Sequence, residues 1–187
     1  VEQLRLWAAH VLRPSPAYNI PLMLEMIGEF DVERLAAAVR AFVQRHPALR
    51  CRIRTKGETV QQVVLSATDW VVDLVKVDAL ELAARIAEET VRVFDLERDT
   101  PIRGAIVDGG VAGRYLVLNI HHIFFDGQSL AVLIRELPEL YQSLDAAPAF
   151  FDMSSVLAWQ ATEEYRQNRA AALDYWQQRL NGAPSDT

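Results

Sequence analysis

The sequence predicts an α/β (α+β) sandwich, a mixed sheet with flanking helices. Three observations predict it. Short runs of alternating apolar residues recur between segments of helical spacing. Several strands come in pairs joined by turn residues. No glycine-rich phosphate loop of the dinucleotide-binding type is present. With 187 residues, 51% hydrophobic and 24% charged, the chain is long enough for one domain with a real core.

The elements follow in order. Glu2 to Val11 has the composition of a short helix, broken by Arg13-Pro14-Ser15-Pro16, because residues before proline lean extended. Ile20 to Ile27 alternates, with Ile20, Leu22, Leu24 and Met26 on one face and Glu25 on the other. Asp31 is placed to cap a helix running to Arg45, whose Val32, Leu35, Ala36, Val39, Phe42 and Val43 fall at helical spacing. Leu49 to Arg54 and Val60 to Leu65 read as strands around a turn at Lys56-Gly57-Glu58, with a third strand of this region at Trp70 to Val77. Asp78 and Glu81 stand at capping-box spacing before a helix over 79–93. Pro101 to Val107 and Arg114 to Ile120 read as a hairpin around Asp108-Gly109-Gly110. A helix then runs to Leu144, with Pro138 expected to kink it. Ala146-Ala147-Pro148 reads as a loop. Ser154 to Leu180 is helical, in one or two pieces, stopped at Gly182. The whole is expected to be a single domain over 1–187, with 146–187 a helical tail.

Composition excludes some functions. A net charge of −6 argues against a general nucleic-acid binder. No apolar run is long enough for a membrane span. The start, Val1-Glu2-Gln3, has neither Met nor a basic leader, so the sequence reads as an internal segment without a signal peptide. The lone Cys51 admits no intrachain disulfide, which suits a cytoplasmic location, and its apolar setting predicts a buried structural thiol.

The chemistry concentrates in His121-His122-Ile123-Phe124-Phe125-Asp126-Gly127, between a strand and a helix. If the strand persists to His122, alternation sends the two histidines to opposite faces, which argues against one metal held by both. One imidazole then faces a channel as acid–base or positioning group, and the other braces the loop. A free imidazole, with a pKa of about 6.5, is mostly neutral near pH 7 and can accept a proton. Asp126 is a helix N-cap, or else a buried carboxylate paired with an arginine. Gly127 serves a tight turn or a close substrate approach, and its N–H lies where it could stabilise an oxyanion. The second charged cluster, Arg45-His46-Pro47-Ala48-Leu49-Arg50, places cations at a helix C-terminus, with Arg45 and Arg50 both open as partners of Asp126. His46 is read as capping or packing.

These residues resemble the N-terminal half of a condensation domain of a nonribosomal peptide synthetase. The HHxxxDG run carries the likeness. Glu2-Gln3-Leu4-Arg5-Leu6-Trp7 with Tyr18-Asn19-Ile20-Pro21 is similar to that family's opening motif, and Arg45 to Arg50 to its RHxxLR motif. Tyr175 to Pro184 is similar to the segment that leads to the second half. The resemblance implies a chloramphenicol-acetyltransferase-like half-domain whose partner is a C-terminal lobe of the same domain. Between the lobes, a tunnel admits phosphopantetheine arms of upstream and downstream peptidyl carrier proteins, in a synthetase that also holds an adenylation domain. No cofactor or metal is implied for the lobe itself. His122 would be the active-site residue and His121 its neighbour. Asp126 would be mainly structural and paired with Arg45. Gly127 completes the motif.

The sequence also departs from the family pattern. Gln128 stands where a bulky residue is frequent and Cys51 where threonine is usual, and Phe124-Phe125 is expected to narrow or reshape the loop. The C-terminal half is absent, so the segment alone is expected to be inactive. The opening motif leans towards an L-acyl donor or a starter acyl group, and the intact run argues against the cyclisation subtype. Two other readings stay open: an ester-forming acyltransferase lobe of the same superfamily, and a non-catalytic docking or scaffold module.

Overall fold

The computed structural model describes residues 2–57, 59–66, 70, 72–144 and 158–183. Two compact units are present, Val1–Ala149 and Phe150–Thr187. Among its described residues, the first holds a four-stranded mixed sheet, a separate two-stranded hairpin and four α-helices. Its elements are α1 (Glu2–Leu12), β1 (Asn19–Glu25), α2 (Val32–Arg45), β2 (Cys51–Lys56), β3 (Thr59–Val64), β4 (Asp73–Lys76), α3 (Leu82–Val91), β5 (Ile102–Asp108), β6 (Arg114–His121) and α4 (Gly127–Gln142). The sheet order is β1-β6-β5-β4, antiparallel except for β4, which runs parallel to β5.

The alternation of β6 sorts two cores. Leu116, Leu118 and Ile120 join Ile102 and Ile106 in a cluster with Leu35, Val39, Phe42 and Val43 of α2 and Leu133, Leu137 and Leu140 of α4. On the other face, Val117 meets Ala105, Val107 and Leu82 of α3. α2 forms as its sequence predicts: Asp31 caps it by accepting from the Arg34 N–H at 2.9 Å, and its apolar stripe turns to the sheet. The β5–β6 connection passes through Gly110 and Gly113 at positive φ, which a side chain would strain.

Three expectations need correction. The strand expected over 70–77 is present but shorter, Asp73–Lys76, and it lies in the main sheet beside β5. The helix expected from 79 starts at Leu82, because Asp78–Glu81 closes a turn (Glu81 N–H to Asp78 O, 2.9 Å) and Glu81 makes no side-chain cap. Gly127 adopts no positive φ, so no tight turn requires it there. α4 continues through Pro138 to Gln142. The loop expected at 146–148 lies outside the described residues.

In the second unit, α5 (Glu163–Leu180) is capped by Thr162, whose Oγ1 accepts from the Tyr165 N–H at 3.2 Å. Gly182, at φ 82°, follows its end. Residues 158–160 form a separate helical turn, so the tail is helical in two pieces over its described part.

Candidate active site

β6 carries the chain to His121 and stops there; His122 already lies in the turn that follows. His121 is fully buried, and its ring is clasped on two sides. The Ile123 N–H donates to Nδ1 at 3.2 Å, so the ring proton sits on Nε2, which reaches His10 Nδ1 at 3.3 Å. Phe94 and His10 each present an edge-to-face contact to it. Burial first, then the neighbouring His10 and His122, hold its pKa down at about 4. His121 is thus a neutral brace.

His122 is on the exposed side of the loop. Its Nδ1 lies 2.8 Å from the Phe125 carbonyl oxygen. A carbonyl only accepts, so Nδ1 carries a proton, and in the neutral ring the lone pair lies on Nε2. The ring is thus oriented by the loop it belongs to.

The N-terminal residues hold this loop from outside. Gln3 Nε2 donates to the Ile123 carbonyl at 3.1 Å, the His122 N–H donates to the Tyr18 carbonyl at 2.8 Å, and α1 supplies His10. From within, Ile123 and Phe124 anchor in a cluster with Cys51, Ile53, Phe94 and Leu96, while Phe125 joins the main core. The paired phenylalanines fasten the loop from below. Sequence reading missed His10, and its only signal was a polar residue three positions after Trp7 in an otherwise apolar stretch.

Asp126 caps α4. Its Oδ1 accepts from the Ser129 N–H and from the Ser129 hydroxyl, both at 2.9 Å, and these bonds, backbone first, draw its pKa down against a smaller opposing effect of burial. The expected ion pair with Arg45 or Arg50 is not formed among the described residues. Arg45 instead meets Glu136 of α4 at 3.3 Å, beside His46 at 2.9 Å, and Arg50 donates to the main-chain carbonyls of Leu65 and Gln44. The reason is position: Asp126 is exposed at the start of α4, whereas Glu136 is buried where α2 ends. Gly127 opens α4 with nothing within 4 Å of where a side chain would point. Cys51 is buried, and burial raises its thiol pKa against the lowering effect of Arg50, so the thiol is inert as expected.

Two outcomes follow from these contacts. An unfolded imidazole takes its proton near pH 6.5 and buried His121 only near 4. The unfolded state therefore binds more protons between these values. The stability involved is fully present above pH 6.5 and falls by up to about 3 kcal/mol as the pH drops to 4. His121→Gln should flatten that part of the profile in urea unfolding at pH 7, 5.5 and 4.5; parallel profiles for both proteins would overturn it. Asp126→Ala should lower stability by about 1 kcal/mol through the lost cap. An unchanged melt would remove Asp126 from that role.

The condensation-domain family model matches residues 2–186. The chain belongs to the condensation-domain family. Among curated relatives, cyclosporin synthetase of Tolypocladium inflatum is 31% identical over 97% of the chain, which spans 1% of that protein. Two solved structures are alike throughout. The X-domain from teicoplanin biosynthesis superposes with a TM-score of 0.84 at 25% identity, covering 99% of this chain and 43% of that one. The structure described as the molecular basis for condensation domain-mediated chain release from the enacyloxin polyketide synthase gives a TM-score of 0.73 at 26% identity, covering 90% and 35%. The condensation-domain chain described here thus spans less than half the length of these structures. Among its described residues, no helix is long and apolar enough to cross a membrane.

Proposed function

We propose that this chain is the histidine-bearing lobe of a domain that joins a carrier-bound acyl or peptidyl thioester to a carrier-bound amine. The observation that supports it is the His122 tautomer: Nδ1 is committed to the Phe125 carbonyl, and Nε2 is an open acceptor on an exposed loop. In the reaction, the amine nitrogen attacks the thioester carbon. A C–N bond forms, the C–S bond breaks, the proton lost by nitrogen passes to His122 Nε2, and the thiolate leaves to be protonated. A well-placed base of this kind contributes roughly 10²–10⁴-fold. The N–H of Gly127, at the start of α4 where no earlier turn supplies it a partner, is the nearest helix-end donor in sequence for a developing oxyanion.

The upstream and downstream carriers, the second lobe and the adenylation domain are the partners this reading requires, and the lobe alone is inactive in it. Its test uses the parent domain with both lobes. The two carriers are loaded, one with an acyl group and one with an aminoacyl group, and transfer is followed by intact-protein mass spectrometry. Mass appearing on the downstream carrier supports amide formation. Transfer only to a hydroxyl-bearing acceptor assigns the lobe to ester formation. No transfer to either acceptor counts against catalysis and leaves a docking module.

A further inference from the structure

Strand β2 alternates in charge as cleanly as β6 alternates in hydropathy. Arg52, Arg54 and Lys56 fall on one face, while Cys51 and Ile53 turn inward at 5% and 3% exposure. Across the ladder the cations face Val63, Gln61 and Thr59, none of them acidic. Cations on a short hairpin can merely deter edge-to-edge association. Two further features go beyond that. Arg52 and Arg54, with Val63, Leu65, Glu97 and Arg98, wall a cavity of about 290 Å³. Its floor is held by the Ile53 N–H to Leu96 carbonyl bond of 2.8 Å, which fixes the 95–98 turn against the strand.

The charge in the cavity is not cancelled. Arg98 lies 3.8 Å from Asp95, and Glu97 is the one carboxylate in the wall. Among the described residues Arg52 and Arg54 enter no ion pair, and the Arg52 Nε is buried without a hydrogen-bond partner. The Arg50 and Arg85 Nε atoms are buried in the same state, so the uncancelled charge on the cavity wall is what marks the place. Two guanidinium groups two residues apart start about 7 Å from each other along a strand. A carboxylate has two oxygens, enough for one fork; an anion with three or four can accept from both.

We infer that this cavity is a binding site for a phosphate group, held by Arg52 and Arg54 with Arg98 at the rim. The site lies outside the histidine loop and stands whether or not the proposed amide chemistry does. The phosphate can arrive free or as an ester, and the two sources call for separate arms. The ¹⁵N-labelled chain is titrated with inorganic phosphate and, separately, with O-phosphoserine, following the arginine Nε–H signals and the amides of Val63 and Leu65. Saturable shifts at Arg52 and Arg54 are expected. Tighter binding of inorganic phosphate assigns the site to the free ion, and tighter binding of O-phosphoserine to an ester.

Arg52→Gln and Arg54→Gln should each weaken binding about tenfold, the loss of one charge-assisted pair of bonds. Arg52→Lys should weaken it severalfold, since it keeps the charge and loses the fork. Lys56→Ala, outside the cavity, should change it less than twofold. Far-UV circular dichroism checks that each variant is folded. Equal shifts in chloride at matched ionic strength, shifts that do not saturate, or an equal loss from Lys56→Ala would each overturn the site.

Discussion

Replacing His122 by alanine in the two-lobed domain is expected to reduce transfer at least about 100-fold while leaving the melting temperature within a degree or two. Both halves of this expectation come from the same geometry. The ring is exposed and its one hydrogen bond is local, Nδ1 to the Phe125 carbonyl, so little packing is lost with it. The loop keeps its other fastenings through Gln3, Tyr18 and His10. What disappears is the Nε2 lone pair. His122→Asn sharpens the test, because its amide can still donate to the Phe125 carbonyl but offers no base. If the asparagine variant keeps most of the rate, His122 positions the amine and does not take its proton. If even alanine transfers at the wild-type rate, the proposed chemistry is wrong for this loop.

Glu136→Gln is expected to have the largest effect on stability, a loss of about 3–5 kcal/mol in urea unfolding at pH 7. Glu136 is 4% exposed, with Arg45 and His46 both turned onto its Oε2. Burial alone would raise its pKa; the His46 hydrogen bond and charge, then those of Arg45, outweigh burial and leave it below the usual carboxylate range. With the folded value depressed, its contribution is present above about pH 4.5 and is lost as the pH falls through the folded value. The amide removes the buried charge onto which both Arg45 and His46 turn at the junction of α2 and α4, and breaking a buried ion pair in this way is costly. A loss under about 1 kcal/mol would mean that solvent screens the cluster.

The parts of this molecule that were legible in sequence are those set by near neighbours in the chain. Asp31 and the apolar spacing of α2 announce that helix, and Asp108-Gly109-Gly110 announces the β5–β6 hairpin. The placement of β4 was not legible: four residues carry no sign of whether they pair with the preceding hairpin or with a strand about thirty residues on. The candidate site divides in the same way. The opposed settings of His121 and His122 agree with the expectation, but its premise does not hold: β6 ends at His121, and the turn after it, not strand alternation, sets His122 outward. The capping of α4 by Asp126 followed from its place before the helix. The partner of Arg45 did not follow, because an acid in mid-helix, Glu136, looks like any solvated residue until α2 and α4 are packed. His10 was hidden for the same reason: its role exists only once α1 lies against a loop 111 positions away.

The pairing of β1 with β6 joins Asn19 to His121, about a hundred residues apart. A ribosome adds roughly 5–20 residues per second, so the apolar strand Ile20–Leu24 waits about 5–20 seconds for β6, its neighbour in the sheet among the described residues, to emerge. Closing so long a loop comes late in folding. Gln3, His10 and Tyr18 must wait with it, since Gln3 and Tyr18 grip the segment that follows β6 and His10 grips the last residue of β6. The histidine loop is thus the joint at which the residues around α1 meet ones made about a hundred positions later, and it takes its shape only when the main sheet closes.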